Sequence, residues 1–214
     1  MNQLAETELA SLMCSRLCHD LLSPIGALTN GLELLAEEKD PAMRQRCFEL
    51  LEQSAKASAD KLRFFRLAFG AAGGFGEMVP VEEPRALIDA LAGANSRITV
   101  NWGLAGDSLP KSAVKVMLNL AQIGMDALIR GGSLDIAAEF REGVSEIVVR
   151  ASGQRVAFDP TVGAALDGTL LPAELSSRTA PAALLHRMVT AAGGGIQIHA
   201  TSEALVMGAM MPLA

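Results

Sequence analysis

A short run in the first half of the chain combines a nucleophile, a carboxylate and a proline; it reads Arg16-Leu17-Cys18-His19-Asp20-Leu21-Leu22-Ser23-Pro24. On a helix with 100° per residue, His19 points away from the apolar seam to which Leu17 and Leu21 belong, so its imidazole is predicted to face solvent. An exposed imidazole is largely neutral near pH 7 and keeps a nitrogen lone pair that can attack phosphorus. The run therefore offers the kind of nucleophile that phosphoryl transfer needs.

The residues around His19 refine that prediction. Asp20 could accept a hydrogen bond from the second ring nitrogen and so fix the tautomer, although adjacent residues of a helix do not normally face each other. Pro24 has no N–H to donate to the carbonyl of Asp20, which predicts a helix kink just after the histidine. The alternative is an ordinary surface histidine, and the proline argues against it.

The other histidines and the cysteines carry no such pattern. His186 and His199 have no acidic or cysteine neighbours at ligand spacing, so structural or surface roles are expected for both. The three cysteines lack the paired spacing of a zinc site and are interpreted as small buried hydrophobic residues: Cys14, Cys18 and Cys47. No metal site is predicted in this chain.

Residues 7–69 contain two helical runs, separated by Glu38-Lys39-Asp40-Pro41, in which Asp40 can cap the second helix and Pro41 suits its first position. Each run has an apolar stripe at steps of three and four. The stripes are Leu17, Leu21, Ile25, Leu28, Leu32 and Leu35 in the first run, and Phe48, Leu51, Ala55, Ser58, Leu62, Phe65 and Phe69 in the second. One hairpin cannot bury both stripes, whereas two copies side by side form a four-helix bundle. The sequence predicts a homodimer.

A glycine-rich segment at 70–76 indicates a linker, which divides the chain into a helical hairpin at 1–70 and a second domain at 77–214. Helices are predicted at 82–92, 111–129 and 180–192, and strands at 98–102, 133–140, 145–151, 195–200 and 204–211. Helices interleaved with paired strands predict an α/β sandwich with a mixed sheet covered on one face.

Composition excludes some classes of function. Half of the 214 residues are apolar, which is enough for a buried core, and the net charge of -6 argues against a nucleic-acid or anionic-lipid binder. The first ten residues do not resemble a signal peptide, and no run approaches the roughly 20 apolar residues of a bilayer span. A cytoplasmic protein is expected, with neither nucleic acid nor membrane as a partner.

The run His-Asp-Leu-x-x-Pro resembles the phosphoacceptor box of histidine kinases, so the second half invites comparison with the kinase ATP-binding sandwich. There the stretch 119–123 has Ile123 where kinases have a magnesium-holding Asn, and the stretch 151–155 has Ala151 where they have an adenine-binding Asp. Pro181, within 179–182, stands where kinases have a glycine-rich phosphate loop. The resemblance implies an ATP site that has lost its contacts, so no ATP turnover is expected.

This combination resembles the ChpT family of alphaproteobacterial histidine phosphotransferases over essentially the whole chain, chiefly through the box at 16–20 and the stretch 118–123. The resemblance implies an α+β protein, with a hairpin that forms a dimeric four-helix bundle and a degenerate Bergerat-type ATPase-like domain. It implies a cytoplasmic homodimer that takes phosphate from the receiver of a CckA-like hybrid histidine kinase. The acceptors it implies are CtrA-like and CpdR-like response regulators that control the cell cycle. No cofactor is expected in the chain itself, because magnesium belongs to the acidic pocket of the receiver.

A receiver is expected to dock beside His19 on the bundle flank. Small or polar residues follow on the same face of the helix: Ser23, Gly26, Ala27 and Asn30. Arg16, one turn before the histidine, is counted with them. The second helix adds weaker candidates, Lys61, Phe65 and Arg66, where the cations could meet the acidic rim of a receiver.

Three alternatives stay open at this point. The chain could be an ATP-dependent histidine kinase with unusual nucleotide contacts, or a non-catalytic module on which other proteins dock. It could also be a phosphotransferase of the sporulation-relay type, which shares the architecture and the mechanism. The sequence does not decide which receivers bind or in which direction phosphate flows.

Overall fold

Two long helices form the first third of the protein, α1 (Gln3–Glu37) and α2 (Pro41–Phe69). The computed structural model describes residues 3–70, 77–93 and 97–212. As predicted, Asp40 caps α2: its Oδ1 accepts a hydrogen bond from the Ala42 backbone N–H at 2.9 Å, and Pro41 occupies the first turn. Arg44 closes the turn by donating to the carbonyls of Leu35 and Glu38, which are left without helical partners at the end of α1.

The second half contains a five-stranded mixed sheet. Its strands are β2 (Ile98–Leu104), β4 (Gly132–Arg141), β5 (Val144–Ser152), β6 (Gly195–Ala200) and β7 (Ala204–Pro212). Across the sheet they lie in the order β2-β4-β5-β7-β6. Strands β2 and β4 pair in parallel, and the other neighbours pair antiparallel. The β4–β5 hairpin turns at Glu142 and Gly143, whose φ values of 54° and 78° are those required by a tight two-residue hairpin turn. Strands β1 (Met78–Pro80) and β3 (Ser108–Pro110) form a separate small antiparallel pair.

Helices cover one face of the large sheet. They are α3 (Glu82–Gly93), α4 (Lys111–Ala127), α5 (Pro160–Asp167) and α6 (Ala180–Ala191), with a short 3₁₀ turn at Pro172–Glu174. Side chains such as Ile136 and Val149 are buried under the helices, whereas the intervening Ala137 and Val148 are exposed. This alternation confirms the predicted mixed sheet with one covered face. The predicted elements are all present, and α5, β1, β3 and the 3₁₀ turn were not predicted.

The hairpin and the second half share a core. Phe64, Leu67 and Ala68, at the end of α2, are buried in the same apolar cluster as the helices over the sheet, and Leu9 and Met13 of α1 pack with Ala180. The stripe predicted along α2 therefore splits, because its last two members, Phe65 and Phe69, pack against the second half. The predicted linker lies almost wholly outside the described residues, since 71–76 are not among them, and the domain boundary stays a prediction.

Large apolar side chains remain exposed along the rest of the hairpin: Leu22, Ile25, Leu32, Leu34, Met43, Phe48, Leu50 and Leu62. The interpretation of the cysteines as buried is wrong for Cys14 and Cys18, which are exposed, while Cys47 is partly buried. Cys18, Leu22, Ile25 and Leu32 are all exposed and lie four, three and seven residues apart, so together they form one apolar face of α1. No helix in the described part of the chain is both long and apolar enough to cross a bilayer. A face of this kind favours association of two hairpins.

We predict that the protein is a homodimer whose interface is this hairpin face. Light scattering at micromolar concentration should give about twice the chain mass of 22.4 kDa. Leu32→Glu places a charge in the predicted interface and should shift the mass toward that of one chain. Leu171→Glu is the matched control, because Leu171 is 63% exposed, close to the 59% of Leu32, but lies in the second half. A monomeric mass for the unmodified protein would contradict the prediction.

Candidate functional site

His19 stands on the outer surface of α1. Its side chain is 82% exposed, as the helical spacing predicted, and its Nδ1 lies 3.2 Å from Oδ1 of Asp20. A carboxylate only accepts hydrogen bonds, so this contact assigns the ring proton to Nδ1 and the lone pair to Nε2. Nε2 is therefore the ring nitrogen available to an incoming electrophile.

Arg16 holds the other oxygen of the Asp20 carboxylate. Its Nε donates to Oδ2 of Asp20 at 2.7 Å, one helical turn apart on α1. Both carboxylate oxygens thus have partners, one on Arg16 and one on His19. Adjacent residues of a helix seldom contact each other through their side chains. Here Arg16 fixes the orientation of the Asp20 carboxylate, and the contact between His19 and Asp20 is made.

The backbone carbonyl of Asp20 accepts a hydrogen bond from α2, because Pro24 leaves it without a partner in its own helix. Because Pro24 has no N–H, the Asp20 carbonyl four residues earlier loses its helical partner. Lys61 of α2 replaces that partner, and its Nζ donates to the Asp20 carbonyl at 2.8 Å. Helix α1 continues past Pro24 to Glu37. Lys61 therefore ties α2 to the turn that carries His19, a role that the sequence did not predict.

The second half of the protein reaches this site through Asp126, in the last turn of α4. Arg16 Nη2 lies 3.3 Å from Oδ2 of Asp126, and Gln122 Nε2 donates to Oδ1 of Asp126 at 2.8 Å. Sequence reasoning missed Asp126. The available signal was an acidic residue in the last turn of a predicted helix, where the helix dipole disfavours a negative charge.

Two titratable groups at this site have shifted pKa values, those of Arg16 and Asp126. Burial opposes the charge of Arg16, but the hydrogen bond and the attraction to Asp20, reinforced by Asp126, outweigh it and raise the pKa of Arg16. The surrounding protein removes water from Asp126 and raises the pKa of that carboxyl, against the lowering effect of Arg16 and Gln122. Because 53% of the Asp126 side chain remains exposed, solvent screening keeps this effect modest.

A crevice with a volume of about 80 Å³ separates the hairpin from the helical layer next to Arg16. Its wall combines hairpin residues with residues of α4, α5, α6 and the segment before α5: Arg16, Asp20, Phe64, Phe65, Phe69, Asn119, Gln122, Ile123, Asp126, Ala127, Ala157, Phe158, Asp159, Val162, Arg178, Pro181 and Ala182. Drug-sized ligands usually occupy roughly 300 to 1,000 Å³. The crevice is therefore smaller than most pockets that hold ligands of that size.

Two of the three residues compared with kinase ATP contacts line this crevice, Ile123 and Pro181. The third, Ala151, is fully buried in β5 under the helical layer, so it faces the core and not the crevice. Asn119, which matches the first Asn of the kinase stretch, donates its side-chain amide to the Lys115 carbonyl of its own helix at 2.8 Å.

The predicted docking residues occupy different environments. Ser23 and Asn30 are exposed, and Gly26 and Ala27 are partly buried. A Cβ added at Gly26 would meet nothing within 4 Å, so the flank beside His19 is open there. On α2, Arg66 is exposed, whereas Phe65 is partly buried between Phe64 and Phe69, with ring centroids 6.0 and 6.2 Å away. Whether any of these residues contacts a partner stays a prediction.

The other two histidines lie away from the site. His186 is partly buried, with Nδ1 2.9 Å from the Leu166 carbonyl, and His199 is exposed on β6. Within the ranges that the structure describes, no three His, Cys, Asp or Glu side chains come close enough to hold a metal ion.

Comparison with known proteins agrees with this architecture. Residues 81–204 match the model of the histidine phosphotransferase C-terminal domain. The chain is 32% identical to the protein phosphotransferase ChpT of Brucella abortus (strain 2308), over 96% of this chain and 97% of that protein. A solved structure described as a bacterial phosphotransferase superposes with a TM-score of 0.82 at 32% identity, covering 98% of this chain and 97% of the other. A hairpin with an exposed histidine and a five-stranded sheet covered by helices on one face thus occur in a chain that belongs to the ChpT-type family of histidine phosphotransferases.

Proposed function

We propose that His19 is the phosphoacceptor of a multi-step phosphorelay, taking a phosphoryl group from a receiver aspartate and passing it to the aspartate of another receiver. The observation that carries this proposal is the position of the imidazole, which is exposed at Nε2 and held at Nδ1 by Asp20. Phosphotransferase relatives over nearly the whole chain support the class of reaction.

The transfer step follows from the assignment of the ring proton. The Nε2 lone pair of His19 attacks phosphorus, and the N–P bond forms while the P–O bond to the receiver aspartate breaks. The electron pair of that bond leaves on the receiver carboxylate. The ring gains positive charge, and its Nδ1 proton remains on the hydrogen bond to Asp20, which stabilises that charge. Donation to the next receiver is the same step in reverse.

Magnesium enters with the receiver in this proposal. Phosphoryl transfer depends mainly on alignment of the attacking and leaving groups and on neutralisation of charge. The carboxylate beside His19 is already engaged by Arg16, and the described residues form no carboxylate cluster around the ring that would hold the ion. The acidic pocket of the receiver then supplies the metal, and His19 supplies the nucleophile.

The partners we propose are receiver domains that dock on the α1 flank beside His19. By resemblance to ChpT, the donor is the receiver of a CckA-like hybrid kinase and the acceptors are CtrA-like and CpdR-like response regulators. Such a relay operates in the cytoplasm. Ser23, Gly26, Ala27 and Asn30 present small or polar side chains along this flank, which leaves room for a helix of the partner.

We propose that ATP takes no part in the reaction. The small volume of the crevice and the presence of Ile123 and Pro181 on its wall support this view. The rival is an ATP-dependent histidine kinase with unusual contacts, which would have to open this crevice. A non-catalytic docking module is the other rival, and it would leave the exposed Nε2 of His19 without a use.

The role of His19 is tested by substitution. His19→Ala and His19→Gln should abolish acid-labile, base-stable labelling from a receiver domain phosphorylated with acetyl phosphate, and should also abolish onward transfer. His199→Gln is the matched control, because His199 is likewise exposed but lies on β6, and it should retain full transfer. Relay from one receiver to another by the His19 variants would disprove the mechanism.

Asp20→Asn should slow transfer by about 10- to 100-fold without abolishing it, because the amide keeps a hydrogen-bond acceptor but loses the charge that stabilises the ring. Single-turnover labelling measured against time separates this slowing from complete loss. A rate equal to that of the unmodified protein would show that Asp20 has no part in the step.

The docking flank is tested at Gly26. Gly26→Arg should reduce receiver-to-protein transfer by about tenfold or more. The open space beyond Gly26 accommodates the arginine side chain, which then obstructs the partner. The mass measured by light scattering should stay that of the dimer. Gly26→Ala is the control of small size and should transfer normally. If the arginine variant transfers as fast as the unmodified protein, the receiver docks elsewhere.

Nucleotide binding is tested by calorimetry with a non-hydrolysable ATP analogue and magnesium. We expect no heat of binding at millimolar analogue, because Ile123, Ala151 and Pro181 occupy the three positions that contact ATP in the kinases. An active histidine-kinase ATP domain measured under the same conditions provides the positive control. Magnesium-dependent binding to the unmodified protein would favour the kinase alternative.

A further inference from the structure

Arg16 connects the two halves of the protein at the catalytic histidine. Its guanidinium lies between two carboxylates, with Nε on Asp20 at 2.7 Å and Nη2 on Asp126 at 3.3 Å. Asp20 and Asp126 belong to different halves of the chain. His19, Asp20, Arg16 and Asp126 therefore form one continuous chain of contacts from the reactive ring into α4.

Asp126 occupies a position that its own helix disfavours. It lies in the last turn of α4, where the carbonyl ends of the helix repel a negative charge. Gln122, one turn earlier, holds Oδ1 at 2.8 Å, which leaves Oδ2 directed at Arg16. An acidic residue kept at an unfavourable helix position and oriented by a neighbour indicates a use outside the helix.

We propose that Asp126 is a positioning residue for phosphoryl transfer at His19, acting through Arg16 and Asp20. This inference rests on the proposed function of His19. With Nη2 attracted to Asp126, the guanidinium presents Nε to Oδ2 of Asp20 and leaves Oδ1 for the Nδ1 proton of His19. Asp126 touches neither the ring nor the phosphoryl group.

Charge gives Asp126 a second effect through the same contacts. The charges of Asp20 and Arg16 alone sum to zero. Such a neutral pair would give little stabilisation to the positive charge that the ring acquires as the N–P bond forms. Asp126 adds one negative charge to that pair and offsets the guanidinium. The carboxylate of Asp20 then remains effective toward the ring.

The second half of the protein thereby takes part in the chemistry without a nucleotide. Helix α4 supplies Asp126 and Gln122, and its attachment to the hairpin through Phe64 and Leu67 fixes where these side chains lie. The sheet domain thus supports the histidine through Arg16 and Asp20.

The test uses single-turnover transfer to the full-length protein from an isolated hybrid-kinase receiver domain phosphorylated with acetyl phosphate. Asp126→Asn should slow the rate at saturating receiver by about three- to tenfold, as expected for loss of one partly screened charge. The receiver concentration at half-maximal rate should not change, because a positioning role of Asp126 through Arg16 affects the reacting ring and not the affinity for the receiver. Asp126→Glu should restore most of the rate. Glu139→Gln removes one charge from the open face of the sheet and should have no effect.

Two further measurements separate positioning from a general structural effect. Nitrogen-15 NMR of His19 should show a smaller fraction of the Nδ1-protonated tautomer in Asp126→Asn than in the unmodified protein. In an Arg16→Gln background, Asp126→Asn should cause no further slowing, because the route through Arg16 is already broken. Equal slowing in both backgrounds would overturn the inference, and so would an unchanged rate for Asp126→Asn.

The His19→Ala variant distinguishes this inference from the proposed function. Relay of phosphate by His19→Ala would refute the function itself. Loss of relay in His19→Ala with normal transfer by Asp126→Asn would refute only the role of Asp126.

Discussion

The site depends on a single carboxylate, that of Asp20, which has one oxygen on Arg16 and the other on His19. A carboxylate without a partner on a helix surface would rotate freely and be solvated by water, and the neighbouring imidazole would exchange between its two tautomers. The charge-assisted hydrogen bond from Arg16 fixes Asp20, and Asp20 in turn fixes which nitrogen of His19 carries the proton. The exposed Nε2 is a defined nucleophile only because this contact is made.

The backbone at the same turn is fixed from the opposite helix. Pro24 removes the helical partner of the Asp20 carbonyl, and Lys61 of α2 replaces it. A proline inside a helix usually costs stability, yet here the freed carbonyl becomes the attachment point of the second helix. Asp20 is thus held by its carboxylate within α1 and by its carbonyl from α2, so the hairpin positions the reactive turn through both its side chain and its backbone.

Much of this arrangement follows from local sequence. Asp40 and Pro41 define the start of α2, the alternation along β4 and β5 defines the buried face of the sheet, and the spacing of His19 predicts its exposure. Contacts between distant segments do not follow in this way. Nothing near Asp126 in the sequence indicates Arg16 as its partner, 110 residues away, and nothing near Lys61 indicates the Asp20 carbonyl.

Exposure of the cysteines was missed for a related reason. Cys14 and Cys18 are apolar enough for a core, but the core of the hairpin in one chain is thin, and the face that carries Cys18 remains open. Phe65 and Phe69, which were predicted to continue the bundle seam along α2, pack against the second half of the protein. Periodicity shows that a helix face is buried but does not show which part of the protein covers it. Here the cover is the second half of the same chain.

The bond between Arg16 and Asp126 illustrates how a weak contact can matter for chemistry. With 53% of the Asp126 side chain exposed, an ion pair of this kind contributes about 1 kcal/mol or less to folding, so the two halves are held together mainly by their shared apolar core. Apolar packing is not directional, however, and does not orient a single imidazole ring, whereas the hydrogen bonds of a guanidinium are directional. Burial brings α4 close to α1, and the polar chain through Arg16 converts that proximity into an orientation of His19. The energy that holds the fold and the geometry that serves the transfer therefore come from different interactions.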